Sequence, residues 1–280
     1  MVFLLIFLGK FEFTAGQSRH YQYDRLHIEL ADIEVDSIVE LTERDYLDSI
    51  FRTISQDLLE FERLLGYKLT GQLHLRLFTD PADYQQTLQS HQLWKERLTN
   101  DFTGVSSNYY PIFIATPWDK IRIQLRYAIA HSTINEFLNG SSVRQKMTQS
   151  GYQHFPSWIF QGLCAYWSSS WTITAQDEFR YFSDKGAFRH PNDITPLACQ
   201  VFGRYVWKDW IQTYGLSAIS NFWFVLKYTG QAETAVTYLT GQSFSQWFHE
   251  AENELIQQKQ EPDLPPSTLL NHREASPVLN

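Results

Sequence analysis

The pattern of apolar residues changes once along this chain, near residue 119, and this change limits the folds that the chain can adopt. Before it, segments in which apolar and polar residues alternate are separated by segments with helical spacing. Leu26–Leu30 alternates in this way, and so does the run through Leu73, Leu75 and Leu77. Alternation with period two is typical of a strand with one buried face. The first half therefore predicts a mixed α/β layer.

The helices of this first half are also visible in the sequence. Apolar residues recur at intervals of three and four up to Leu65, and this spacing predicts one long helix. Thr42 is its predicted N-cap and Gly66 its stop. An Asp-Pro pair at 80–81 predicts the start of a short helix, and residues 112–115 predict a third strand.

After residue 119, nearly every segment has helical spacing. Asp119 is the predicted N-cap of a helix that ends at Gly140. Pro156 and Pro196 stand where the first turns of two further helices are expected, and the Ser-x-x-Gln pattern at 243–246 predicts a capping box. The predicted fold class is therefore α+β, a mixed α/β half followed by an all-α half.

The two ends of the chain differ in composition from the middle. An apolar run at 2–9, far shorter than the ~20 residues of a membrane span, precedes small residues and predicts a signal peptide over 1–17. A first core strand is the alternative for this run. The Pro-rich segment 258–280 is interpreted as a linker-like tail, a tether or the start of something longer. Between the ends lie the α/β half at 20–118 and the helical half at 119–257.

Charge and cysteine content exclude several classes of protein. The net charge of −8 offers no positive surface for phosphate contacts, so no nucleic-acid partner is expected. No segment after the predicted signal is apolar enough to be a transmembrane helix. Only Cys164 and Cys199 are present, which excludes a disulfide framework. In an oxidising compartment the two can pair; otherwise they are two buried thiols.

The helix predicted after Asp119 carries an altered metal-site pattern. In many zinc peptidases two His four residues apart bind Zn²⁺, a Glu beside the first activates the bound water, and a later helix supplies a third ligand. Here His131–Asn135 reads His-Ser-Thr-Ile-Asn. Glu136 does not replace the missing residues, because one step along a helix turns a side chain by about 100°.

Two segments together resemble a known family. Tyr127–Phe137 resembles the active-site helix of the gluzincin-like (peptidase MA-like) metallopeptidases, whose third ligand is a Glu. Phe155–Tyr166 resembles their second signature, Pro-x-Trp-x-x-Glu-Gly-x-Ala-x-Tyr, with Gln161 in place of the ligand Glu. The resemblance covers roughly residues 20–255 and implies a zincin-like fold. Pro156, Trp158, Gly162 and Tyr166 match the second signature in register, and Ala165 lies one position after the Ala of the signature.

The resemblance implies that the zinc site is lost. Asn135 and Gln161 offer neutral amide oxygens, which suit Zn²⁺ far less than imidazole and carboxylate do. Ser132 stands in place of the general base, and the loss of a positioned base costs roughly 10²–10⁴ in rate. We therefore expect no bound zinc and no catalytic residue. With His131, these three form the predicted floor of a polar pocket; Tyr205 is a further candidate, although a core aromatic is the better interpretation of it.

Three functions remain open. The favoured one is an inactive, exported peptidase-like domain that binds or scaffolds a protein or peptide in the bacterial envelope, in the periplasm or at the outer membrane. The second is an active hydrolase whose metal is held by His131 with His154 or a carboxylate. The third is an unrelated interaction protein that acts through its aromatic surface, since 16% of the residues are aromatic.

Overall fold

The computed structural model describes residues 19–23, 26–30, 37–88, 109–140, 156–169, 171–188, 194 and 196–250. The predicted signal peptide at 1–17, the tail at 258–280 and His154 lie outside the described residues.

A four-stranded sheet forms the N-terminal layer, in the order β1-β2-β3-β4. β1 runs antiparallel to β2, whereas β2, β3 and β4 are parallel to one another. Ile28, Leu75 and Ile112 are fully buried, because the helices cover one face of the sheet. The strands are β1 (Arg19–Tyr23), β2 (Leu26–Leu30), β3 (Leu73–Phe78) and β4 (Tyr109–Phe113).

The other secondary structure elements of the described chain are helices. None of the described helices is long and apolar enough to cross a membrane. The observed class is α+β, as predicted, with a small mixed sheet and a larger helical part. The helices are α1 (Ser37–Leu65), α2 (81–88), α3 (Trp118–Asn139), α4 (Ser157–Ser169), α5 (Ile173–Asp184), α6 (Pro196–Tyr214), α7 (Ser217–Thr229), α8 (Ala232–Thr240) and α9, described over 244–250.

Most predicted ends are confirmed. Gly66 and Gly140 follow the last residues of α1 and α3 with φ of 71° and 77°, values that glycine adopts without a steric penalty. α6 begins at Pro196. The capping box is present: the backbone N–H of Gln246 donates to Ser243 Oγ and the N–H of Ser243 donates to Gln246 Oε1, both at 3.2 Å.

Three predicted boundaries are wrong. α1 begins at Ser37, five residues before Thr42, because no Gly or Pro interrupts the intervening turn. α3 begins at Trp118 after Pro117, so Asp119 lies in the first turn, where a carboxylate favours the positive end of the helix dipole. The strand predicted at 112–115 is β4, and it lies at 109–113 because its first residues pair with β3.

The helical part is held together by a close contact between α4 and α6. A Cβ on Gly162 would lie 2.3 Å from the Cα of Gly203, and one on Gly203 would lie 2.0 Å from the carbonyl oxygen of Trp158. The indole N–H of Trp207 donates to the Ile159 carbonyl at 2.8 Å. Because α4 also packs on α3, this contact fixes the position of α4 against the helix that carries His131.

Candidate functional site

His131 lies on α3, on the side that meets α4. Its ring packs edge-to-face against Phe160 of α4, with 4.6 Å between ring centroids. Its Nδ1 is 2.7 Å from the hydroxyl of Tyr110 on β4. Tyr127, one turn earlier on α3, stacks on the ring at 6.1 Å. The imidazole is therefore half-buried in an aromatic cluster to which the sheet and both helices contribute.

The hydroxyl beside His131 stays protonated at neutral pH. Burial, together with the nearby Cys164 thiol, raises the pKa of Tyr110 far above its ordinary value, and the pKa of Tyr127 is raised for the same reasons. A neutral phenol both donates and accepts, so either tautomer of His131 satisfies this contact.

Ser132 has no access to a substrate. Its side chain is fully buried, and Oγ forms no hydrogen bond within the part of the chain that the structure describes. It lies close enough to the Tyr110 hydroxyl to favour the ionised form of that group, without meeting the geometry of a hydrogen bond. The serine is thus an interior polar group beside the aromatic cluster.

The two amide positions lie on the paired helices but are used differently. Asn135 is half-buried, and its Oδ1 accepts from Nδ2 of Asn139, one turn further along α3, at 2.9 Å. Gln161 is half-buried on α4, directly after the Phe160 ring that contacts His131. α3 and α4 therefore meet at His131, whereas the hydrogen bond of Asn135 is made within α3.

Tyr205 belongs to the core. It is 6% exposed and stacks on Phe179 of α5 at 4.4 Å, with Trp171 at 5.9 Å. Nζ of Lys208 also lies over its ring, 5.8 Å from the ring centre. Tyr205 packs α6 against α5.

The described groups near His131 are not the ligand types that bind Zn²⁺ tightly. They are a phenol, a hydroxyl, two amides and a thiol, whereas tight Zn²⁺ sites combine three or four imidazole, thiolate or carboxylate ligands. Among the described residues, no three His, Cys, Asp or Glu side chains are placed to hold a metal. The second predicted ligand of the alternative metal site, His154, lies outside those residues.

Glu136 of α3 is a buried carboxylate with four hydrogen bonds, and sequence reasoning missed its role. It is 2% exposed and faces the loop between α1 and β3. Its Oε1 accepts from the Tyr67 hydroxyl at 3.0 Å, from the Thr70 N–H at 2.6 Å and from Thr70 Oγ1 at 2.7 Å. Its Oε2 accepts from the Gly71 N–H at 2.8 Å. The only signal in the sequence is an acidic residue inside an apolar run.

The loop that Glu136 binds is shaped for this carboxylate. A Cβ at Gly71 would lie 2.5 Å from Glu136 Oε2, so no larger residue fits without displacing it. Burial, and then the hydrogen bond to Glu136, raise the pKa of Tyr67 to about 12. Tyr67 therefore remains a donor over the physiological range.

A second charged group joins α3 to α1 nearer the start of α3. Nη2 of Arg122 lies 3.1 Å from Oδ1 of Asp57, which is 1% exposed. Nη2 of Arg126 lies 3.6 Å from Glu60 Oε1, and its guanidinium lies 4.1 Å from the centre of the Trp167 ring. These contacts connect α1, α3 and α4 and explain charged residues on an interior helix without invoking catalysis.

The two cysteines are buried and do not form a disulfide with each other. Cys199 Sγ is 3.2 Å from Ser157 Oγ and donates to the Ile194 carbonyl at 3.2 Å. Burial raises its pKa, although the contact with Ser157 lowers it in part. Neither thiol has the exposed, electropositive surroundings of a reactive cysteine.

The arrangement around His131 forms hydrogen bonds and aromatic contacts. Comparison with known proteins assigns no family: no family model, no curated protein and no solved structure matches this chain.

Proposed function

We propose that this chain is a catalytically inactive, zincin-like domain that is related to the gluzincin-like metallopeptidases and has lost their zinc site. The observation that carries the proposal is the contact between His131 and Phe160. It joins the two segments that resemble the family signatures, while Asn135 and Gln161 stand at the ligand positions. A neighbouring pair of helices with this sequence pattern is what a zincin requires.

The orientation of His131 supports the same origin. Metal-binding histidines commonly donate their second ring N–H to a fixed acceptor. The Tyr110 hydroxyl lies 2.7 Å from Nδ1 of His131, which is where such an acceptor is expected in a histidine that binds metal through Nε2. This geometry is what we would expect if His131 descends from a zinc ligand.

Loss of the chemistry favours a binding or scaffolding role, with a protein or peptide partner in the bacterial envelope. Several large apolar side chains are exposed, including Tyr228 at 91%, Ile173 at 80% and Tyr238 at 65%. Tyrosine is enriched at protein interfaces, because it offers contact area at low entropic cost. Export to the periplasm or the outer membrane is part of the proposal and follows from the predicted signal peptide.

Metal content and hydrolysis test this proposal directly. Purified protein is dialysed against zinc, its metal content is measured, and it is incubated with a broad peptide library. We expect less than stoichiometric zinc and no hydrolysis. Stoichiometric zinc together with chelator-sensitive hydrolysis would contradict the proposal and favour the active metal-dependent hydrolase.

A further inference from the structure

A cavity of about 570 Å³ lies between α5 and α6. This volume is within the usual range of small-molecule sites. Each helix contributes residues one turn apart, so one face of each helix is turned toward the cavity. The lining combines apolar with charged side chains: Tyr181, Phe182 and Val201 with Asp177, Glu178 and Arg204.

The guanidinium of Arg204 is partly buried at this cavity. Its Nε is buried and forms no hydrogen bond within the described ranges. Burial lowers its pKa, and the charge of Glu178 offsets this only in part. Buried charged donors are normally paired, and the planar fork of arginine fits a carboxylate with two parallel hydrogen bonds. A bound carboxylate would supply the hydrogen-bond acceptor that Nε of Arg204 does not find among the described residues.

The opposite charge is also present at the cavity. Asp177 and Glu178 are exposed, and neither forms an ion pair with Arg204 among the described residues. Their carboxylates favour a cation at the same mouth. Tyr181 lines one side of the cavity with its ring. Nζ of Lys185 lies 4.2 Å from the centre of that ring.

We propose that the cavity between α5 and α6 binds a small zwitterion, an α-amino acid or dipeptide with an apolar side chain. Arg204 binds the carboxylate, Asp177 and Glu178 bind the ammonium group, and the side chain lies against Tyr181 and Phe182. This site is separate from the His131 cluster, and the proposal holds whether or not that cluster descends from a zinc site.

Three probes test the charge pattern. L-phenylalanine carries both charges, phenethylamine lacks the carboxylate, and 3-phenylpropanoate lacks the ammonium group. Binding to the full chain is measured by calorimetry and by chemical-shift changes. We expect saturable binding of L-phenylalanine, and binding at least about tenfold weaker for each single-charge compound, because a lost charged hydrogen bond costs about that factor. Equal binding of all three, or no binding, would overturn the proposal.

Matched variants locate the site. Arg204→Gln should weaken binding of L-phenylalanine at least about tenfold while leaving 3-phenylpropanoate no tighter than phenethylamine. Arg180→Gln is the control, since Arg180 lies exposed on α5 and does not line the cavity. Unchanged affinity in Arg204→Gln would overturn the assignment. The Nε of Arg204 forms no hydrogen bond among the described residues, so this variant should fold. If it does not, Glu178→Gln should weaken binding of L-phenylalanine and of phenethylamine but not of 3-phenylpropanoate, and unchanged binding of all three would overturn the proposal.

Discussion

At the scale of single residues, Glu136 has the clearest structural role. Its carboxylate accepts four hydrogen bonds from a loop that is 65 to 69 residues away in the chain. Sequence reasoning excluded Glu136 from the His131 face correctly, but local patterns cannot show what lies on its other side. Partners brought together by folding are the part of the site that a single sequence hides.

Removing this carboxylate should destabilise the fold strongly. Glu136→Ala leaves the Thr70 and Gly71 N–H groups and the Tyr67 hydroxyl without an acceptor, and each such buried donor costs about 1–3 kcal/mol. We expect the free energy of unfolding, measured in urea, to fall by at least about 3 kcal/mol. Glu60→Ala is the control, because Glu60 is 62% exposed and its ion pair with Arg126 should contribute less than about 1 kcal/mol. Equal effects of the two variants would contradict this account of Glu136.

The same cluster predicts a loss of stability at high pH. Tyr67 has a pKa of about 12 in the folded state and an ordinary value of 10.0 when unfolded. Both states keep the proton below pH 10, so the contribution is complete there. Between pH 10 and 12 only the unfolded tyrosine ionises, and stability falls.

Unfolding free energies measured from pH 8 to 12 check this effect. Tyr67→Phe should reduce the fall with pH without abolishing it, because burial also raises the pKa values of Tyr110 and Tyr127. An identical pH profile for the variant and the original protein would show that Tyr67 does not titrate as described.

At the scale of secondary structure elements, sequence periodicity predicted β2, β3, α3 and most helix ends, because burial and capping leave local patterns. It missed β1, and the charged segments of α5 have too little apolar patterning to be recognised. The prediction that α1 begins at Thr42 was wrong, because a possible capping residue does not start a helix when the residues before it are helical as well.

The glycine contact between α4 and α6 gives a prediction at this scale. Gly162→Ala places a Cβ 2.3 Å from the Gly203 backbone, which cannot move like a flexible side chain. The two helices must separate, and unfolding free energy should fall by about 3 kcal/mol or more. The loss should appear as a lower thermal midpoint in calorimetry.

Gly215→Ala is the matched control for this variant. Gly215 has φ of 80° and open space around its Cβ position, so alanine there meets only backbone strain. Its cost should be about 1 kcal/mol. If Gly162→Ala were no more destabilising than Gly215→Ala, the close approach of α4 and α6 would not be the contact that fixes α4.

At the scale of the whole molecule, a small sheet and a helical part share one hydrophobic core, and α3 is its central connection. Glu136 and the pair of Arg122 with Asp57 bind α3 to α1 and its following loop, and Phe160 of α4 packs on its His131 side. The α+β class was predictable because the change from alternating to helical spacing is a property of the whole sequence. The neighbours of His131 were not, because Tyr110 and Phe160 lie on separate elements.

The central claim is that α3 and α4 retain the frame of a zinc site, and restoring its ligands tests it. Asn135→His together with Gln161→Glu adds a second imidazole and a carboxylate beside His131. The claim predicts one equivalent of tightly bound zinc, a tetrahedral Co²⁺ absorption spectrum, and loss of both when His131→Ala is added. A folded double variant that binds no more zinc than the original protein would contradict the claim.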